Sequence, residues 1–169
     1  MSETLIKHVE TDQLTFLKNV PIFGGLSDDA IRGLLEHSRI ARFKDGELIV
    51  REGEPASEMY VVLSGGVAVL KRPSAGSMSA ADQMLCCLSA GDCFGEMSLI
   101  DIQPRSASVR AHTPTELLCL SHDEFARLCA TDIETYTLIT QNIAREISRR
   151  LRQANRVIAR LGQMQILEA

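Results

Sequence analysis

"FGEMSLIDIQPRSASVRA", Phe94 to Ala111, places one carboxylate, Glu96, and one guanidinium, Arg105, nine residues apart around a short apolar turn. Gly95 lets the backbone bend sharply and aim the Glu96 carboxylate inward. Arg105 carries a permanent charge and a planar fork of donors suited to phosphate. Ser106 adds a hydroxyl, and Ala107 and Ser108 are small enough for backbone N–H groups to approach an anion closely. "SLID" (98–101) has room for one helical turn, whose free N–H groups also favour an anion. A carboxylate accepts hydrogen bonds from hydroxyls, so this acceptor beside a phosphate clamp suggests a sugar phosphate or nucleotide. The competing reading of the two charges is a structural ion pair at a strand-to-helix corner.

Outward from this stretch, residues 39–121 alternate short β-rich runs with Gly-centred turns: "IARF", "ELIV", "EMYVVLS", "GVAVLKR", "QMLCCL", "SASVRA" and "TELLCLS". Such spacing predicts an antiparallel barrel or sandwich of about eight strands. Gly53, Gly65, Gly66 and Gly91 are expected as turn residues without a ligand role, and "RPSAGSMSAADQ" as a long hairpin loop. Upstream, helical material over about Thr11–Lys18 is interrupted by Pro21 and Gly24-Gly25. Ser27 then caps a helix expected over about Asp28–Ser38. Downstream, Ser121 and Glu124 form a capping-box pattern ahead of "FARLC". Ile133 to Gly162, free of Pro and internal Gly, predicts a helix of about 30 residues. Ile143, Ile147, Leu151, Ala154, Ile158 and Leu161 give it an apolar seam wanting a partner surface. The fold class is therefore α+β: a β roll flanked by N-terminal helices and a long C-terminal helix. The expected divisions are a helical segment 1–38, a β roll 39–121, and a hinge, lid and dimerisation region 122–169.

Composition narrows the function. The 169 residues carry a net charge of −4, which argues against a dedicated nucleic-acid binder. Arg145, Arg149, Arg150, Arg152, Arg156 and Arg160 nevertheless crowd one stretch of the long helix, most simply as a solvated face. Five Cys, an odd number without a CxxC, suit a reducing compartment and read as buried thiols. His8, His37, His112 and His122 lack metal-ligand spacing. No catalytic constellation stands out, so no enzyme is expected. "MSETLIKHVETDQ" has no apolar signal core, and a soluble, cytoplasmic chain without membrane contact is expected.

Phe94–Ala111 resembles the phosphate-binding cassette (94–110) of cyclic nucleotide-binding domains, the family of the bacterial catabolite activator, kinase regulatory subunits and nucleotide-gated channels. "PIFGGLSDDAI", "FKDGELIVREGEPASEMYVVLSGGVAV" and "AGDCFGE" extend the resemblance in order over roughly Val20–Leu151. It implies that Glu96 binds the ribose 2′-hydroxyl and Arg105 the cyclic phosphate, assisted by Ser106 and Ala107. Gly95 would donate from its backbone near the ribose, and Met97 belongs to the same ligand-binding set. The long helix would close over the base through Arg149, Arg150 and Leu151. Ser98 stands where the family often has Ala, and "IDIQP" lacks a Gly common before the Pro-Arg pair; neither removes a ligand-binding group. The implied ligand is cAMP or cGMP, with cAMP favoured as the commoner ligand of the fold, and no further cofactor.

A regulatory module is the first reading, and homodimerisation along the long helix accompanies it. The rival is a scaffold or dimerisation protein that keeps the fold and senses nothing. A helix-turn-helix does not fit in the few residues after Gly162. The chain is then expected to be part of a longer nucleotide-regulated protein or to act through an unknown effector protein, without touching DNA itself.

Overall fold

Residues 2–5, 11–73, 81–101 and 103–167 are described in the computed structural model of the chain. Among the described residues, nine strands form two antiparallel sheets. One sheet runs in the order β1 (Ser2–Leu5), β2 (Arg39–Phe43), β9 (Thr115–Ser121), β4 (Glu58–Ser64), β7 (Cys93–Phe94). The other runs β3 (Leu48–Val50), β8 (Ser108–Ala111), β5 (Gly66–Lys71), β6 (Gln83–Ser89). The helices are α1 (Thr11–Lys18), α2 (Asp28–Leu35), α3 (Met97–Asp101), α4 (His122–Thr131) and α5 (Ile133–Leu167), with a 3-10 turn at Pro21–Phe23.

The continuous apolar runs in "EMYVVLS" and "TELLCLS" are explained by burial on both faces. Successive strand side chains point to opposite sides. Met59 and Val61 of β4 and Leu118 and Leu120 of β9 enter a core built with the helices, alongside Ile22, Phe23, Ile31, Leu34, Ile139 and Ile143. Tyr60, Val62, Leu117 and Cys119, their alternates, fill the interior of the roll with Phe43, Val67, Phe94 and Val109. These two strands, paired from Glu58↔Ser121 to Ser64↔Glu116, form the wall between the cores.

The helix starts follow the sequence closely. The Ser27 hydroxyl accepts from the Ala30 N–H at 3.1 Å, with Asp28 and Asp29 in the first turn. The Ser121 hydroxyl accepts from the Glu124 N–H at 3.1 Å. Only half of the expected capping box forms there, because the Glu124 carboxylate turns to Arg127, at 3.0 Å from Nε and 2.7 Å from Nη2.

Several expectations need correction. The N-terminal segment is not wholly helical: β1 pairs with β2 from Ser2↔Arg42 to Leu5↔Arg39, extending the larger sheet. The two-residue β7 was too short to stand out by periodicity. Helix α2 ends at Leu35, and the buried Ser38 hydroxyl donates back to the Leu34 carbonyl at 2.7 Å. Gly53, Gly65 and Gly91 do sit at left-handed turns. Gly66 instead begins β5, where a Cβ would lie 2.4 Å from the His112 ring. Most of the predicted hairpin loop, 74–80, falls outside the described residues, as does His8.

Helix α5 runs through Gly162 and spans about 52 Å at 1.5 Å per residue. Its first half is anchored. Ile139 and Ile143 are fully buried, and the Asn142 side-chain amide donates to the Ile22 and Gly24 carbonyls at 3.2 and 2.8 Å. "PIFGG" is thus the socket that fixes the helix. Residues 151–160 are all exposed. The predicted seam accordingly divides: Ile143 and Ile147 pack on the core, while Leu151 and Ile158 stay exposed. The side chain of Leu161 lies outside the described residues.

Candidate ligand-binding site

A cavity of about 780 Å³ opens between the second sheet, the cassette and α5. The strand-to-helix corner at its base is built around Gly95, whose φ of +77° is a left-handed conformation that L side chains rarely adopt. A Cβ there would also stand 2.5 Å from Nη1 of Arg105, so the glycine makes room for the guanidinium.

Arg105 is held firmly by its backbone. Its N–H donates to the Glu54 carbonyl and its own carbonyl accepts from the Gly53 N–H, both at 2.9 Å. Arg105 is 9% exposed, and its guanidinium lies over the Tyr60 ring, 5.5 Å from the centroid. Tyr60 stacks in turn on Phe94, with centroids 4.9 Å apart. Nη1 is buried without a hydrogen-bond partner among the described residues, and Arg105 makes no ion pair there. A buried cation without a counter-charge is costly, and an anionic ligand would offset that cost. Behind the loop, Lys71 Nζ donates to the Ser106 carbonyl at 2.7 Å and to Glu52 at 2.8 Å, while the Ser108 hydroxyl accepts from the Glu52 N–H at 2.9 Å. Ser106 and Ala107 both line the cavity.

Glu96 is 5% exposed and does not pair with Arg105. Its partner is Arg150 on α5, with Nη1 3.2 Å from Oε1. The structural ion pair considered for Glu96 and Arg105 therefore does not form; the carboxylate is tied to the helix instead. Arg150 also donates to the Cys93 carbonyl at 2.6 Å and to Glu146 at 2.7 Å. Arg149 donates to Glu146 at 2.9 and 2.6 Å. Burial works against the Arg150 charge, but Glu96, Cys93 and Glu146 outweigh it and raise its pKa. Hydrogen bonding from Arg149 holds the Glu146 carboxyl below its ordinary value, against the opposing effect of burial. Burial pushes the Cys93 thiol up to about 12.

Gly95, Glu96, Met97, Arg105, Ser106, Ala107, Arg149 and Arg150 thus come together around one cavity. Leu151 does not: it is 59% exposed and outside the lining. At about 100° per residue, Arg150 stays within about 20° of the buried Ile143 round the helix, whereas Leu151 lies roughly 80° to one side of it and Arg149 and Gln153 lie on the other side, which faces the cavity. The same geometry brings in Gln153, Ala154, Val157 and Ile158, which sequence reading missed as cavity residues. Val69, Leu85 and Leu88 supply an apolar wall from the roll. They fall in runs read as strands, but which face meets the helix was not visible. The cysteines also divide: Cys93 and Cys119 are buried, while Cys86, Cys87 and Cys129 are exposed, and none of the five is in a disulfide. Among the described residues no cluster of His, Cys, Asp and Glu could hold a metal ion.

A β roll with a cationic cassette, a buried carboxylate and a helix laid across the opening defines a ligand-sensing regulatory domain. The chain belongs to the cyclic nucleotide-binding domain family, whose pattern matches residues 40–132. It is 32% identical to the cyclic AMP receptor protein of Thermus thermophilus, over 82% of this chain and 61% of that protein. It is also 32% identical to the cAMP-dependent protein kinase regulatory subunit of Emericella nidulans, over 67% of this chain and 26% of that protein. A cyclic nucleotide-binding domain from Methylobacillus flagellatus superposes with a TM-score of 0.79 at 25% identity, covering 88% of this chain and 84% of that one. The chain spans 56–61% of the length of the bacterial regulators it matches. Relatives named as transcriptional regulators lend no support to the expectation that this protein avoids DNA. No described helix is long and apolar enough to cross a membrane.

Proposed function

We propose that this chain is the sensor of a regulatory protein and binds a 3′,5′-cyclic nucleotide, cAMP in preference to cGMP. The observation that carries the reading is Arg105: a buried guanidinium in the cavity wall, held by its backbone and lacking a counter-ion among the described residues. A cyclic phosphate would supply that charge, with Ser106 and Ala107 beside it. Glu96 would accept from the ribose 2′-hydroxyl while staying paired with Arg150. The names of the two curated relatives support adenine as the base.

Ligand binding moves α5 only as far as the two helix positions differ in affinity for the ligand, typically by about 1–3 kcal/mol of coupling. The helix carries that shift to an effector, in a further domain or a separate protein. Exposed Leu151, Val157 and Ile158 on α5 support pairing with a second copy. Five cysteines outside any disulfide suit the cytoplasm.

Thermal unfolding with about 1 mM cAMP, cGMP or 5′-AMP tests the reading. A ligand at 100 times its Kd adds about 2.7 kcal/mol, a shift of several degrees. The expected result is a shift with cyclic nucleotides and none with 5′-AMP. No shift with any of them would favour a scaffold that has the fold without the ligand.

A further inference from the structure

The geometry points to Lys71 as a positioning residue behind the phosphate site, braced by Glu52, an inference that rests on the cyclic nucleotide proposed above. Lys71 ends β5 and Glu52 lies two residues after β3, and neither lines the cavity. Lys71 Nζ donates to the Ser106 carbonyl at 2.7 Å and to Glu52 Oε1 at 2.8 Å. The other Glu52 oxygen accepts from the Arg72 N–H at 2.9 Å, so one carboxylate holds both the ammonium and the backbone beside it. The Glu52 N–H donates to the Ser108 hydroxyl at 2.9 Å, which ties the same residue to the start of β8. An exposed lysine–carboxylate pair alone would count for little. What sets this one apart is the carbonyl against which the flexible lysine is held.

The carbonyl and N–H of a planar trans peptide point in opposite directions. With the Ser106 carbonyl turned to Lys71, the Ala107 N–H is turned away from it, toward the cavity that Ser106 and Ala107 line. A cation on the carbonyl also polarises the peptide, and hydrogen bonds in a chain strengthen one another. Lys71 thus aims the Ala107 N–H at the anion and makes it a better donor without touching the ligand. Arg105 offers a fork of donors, whereas this N–H offers a single directed one. The two exocyclic oxygens of a cyclic phosphate are inequivalent, so a single directed donor tells them apart.

The test is calorimetric titration of the full chain with cAMP and its two phosphorothioate diastereomers. Each diastereomer carries sulfur, a weaker acceptor, in place of one exocyclic oxygen, and wild type is expected to bind the two unequally. Lys71→Met should weaken cAMP by about threefold to tenfold, the worth of one ordinary hydrogen bond, and change the ratio between the diastereomers by about threefold or more. Lys71→Arg keeps the charge and the donors and should restore both. Glu52→Gln loosens the brace and should move the ratio in the same direction as Lys71→Met. The Lys71 side chain is 45% exposed, so its variants should unfold near the wild-type temperature. A Lys71→Met protein with the wild-type ratio overturns the role of Lys71, even if all three ligands weaken together, and leaves the sensor function standing. A changed ratio that Lys71→Arg does not restore overturns it as well. If wild type binds none of the three, both readings fall together.

Discussion

The guanidinium of Arg150 lies 3.2 Å from the carboxylate of Glu96, 54 residues away in the chain, and joins the cassette directly to the long helix. The carboxylate proposed to bind the ribose is thus also tied to α5. Arg150→Ala would leave both Glu96 and Glu146 short of a partner. The Arg150 side chain is 29% exposed, so solvent tempers the loss, expected at about 2 kcal/mol by chemical denaturation. Unchanged stability would mean that the latch contributes nothing.

Glu146 makes this latch sensitive to acid. Its carboxyl is held below the ordinary 4.5 by hydrogen bonding from Arg149, with Arg150 assisting. A depressed carboxyl contributes stability that is fully present above its unfolded value and lost as pH falls through the folded value. The melting temperature should therefore drop more steeply below about pH 4.5 in wild type than in Glu146→Gln. Parallel curves for the two proteins would contradict this.

Arg105→Leu separates stability from function. Replacing a buried, uncompensated charge by an apolar side chain should leave the ligand-free protein as stable as wild type or more so. Cyclic nucleotide binding should weaken by about 2–4 kcal/mol, the range for charged hydrogen bonds at a two-oxygen clamp. Near-wild-type affinity in calorimetry would remove Arg105 from the phosphate.

Gly95→Ala challenges the corner itself. An L residue at φ +77° is strained, by about 1–2 kcal/mol. The new methyl would also displace the Arg105 guanidinium. A lower melting temperature and weaker nucleotide binding are both expected, and a loss of stability without a loss of binding would show that the guanidinium tolerates the shift.

Two isoleucines on α5 should behave in opposite ways. Ile143 is fully buried, and Ile143→Ala is expected to cost about 2–5 kcal/mol of stability. Ile158 is 66% exposed, so Ile158→Ala should change stability by less than about 0.5 kcal/mol. As part of the cavity wall, Ile158 should still be needed for full nucleotide affinity. Equal effects of the two variants on folding would contradict this division of the helix.

Features that depend on neighbours in the chain were legible before folding. Short β-rich runs bounded by turn residues matched β4 and β9 to the residue, hydroxyls at Ser27 and Ser121 marked two helix starts, and Glu96 and Arg105 stood out because a sharp glycine corner flanked opposite charges. Tertiary structure decided what those groups face. No local pattern tells that Glu96 pairs with Arg150 rather than Arg105, that "EMYVVLS" separates two cores, or that Ser2–Leu5 adds a strand. The face of α5 over the cavity is set by Asn142 and Ile143, seated against "PIFGG" and the helical core. A helix turns by about 100° per residue, so this distant anchor fixes the direction of every side chain after it. That is why Gln153 enters the cavity and Leu151 does not.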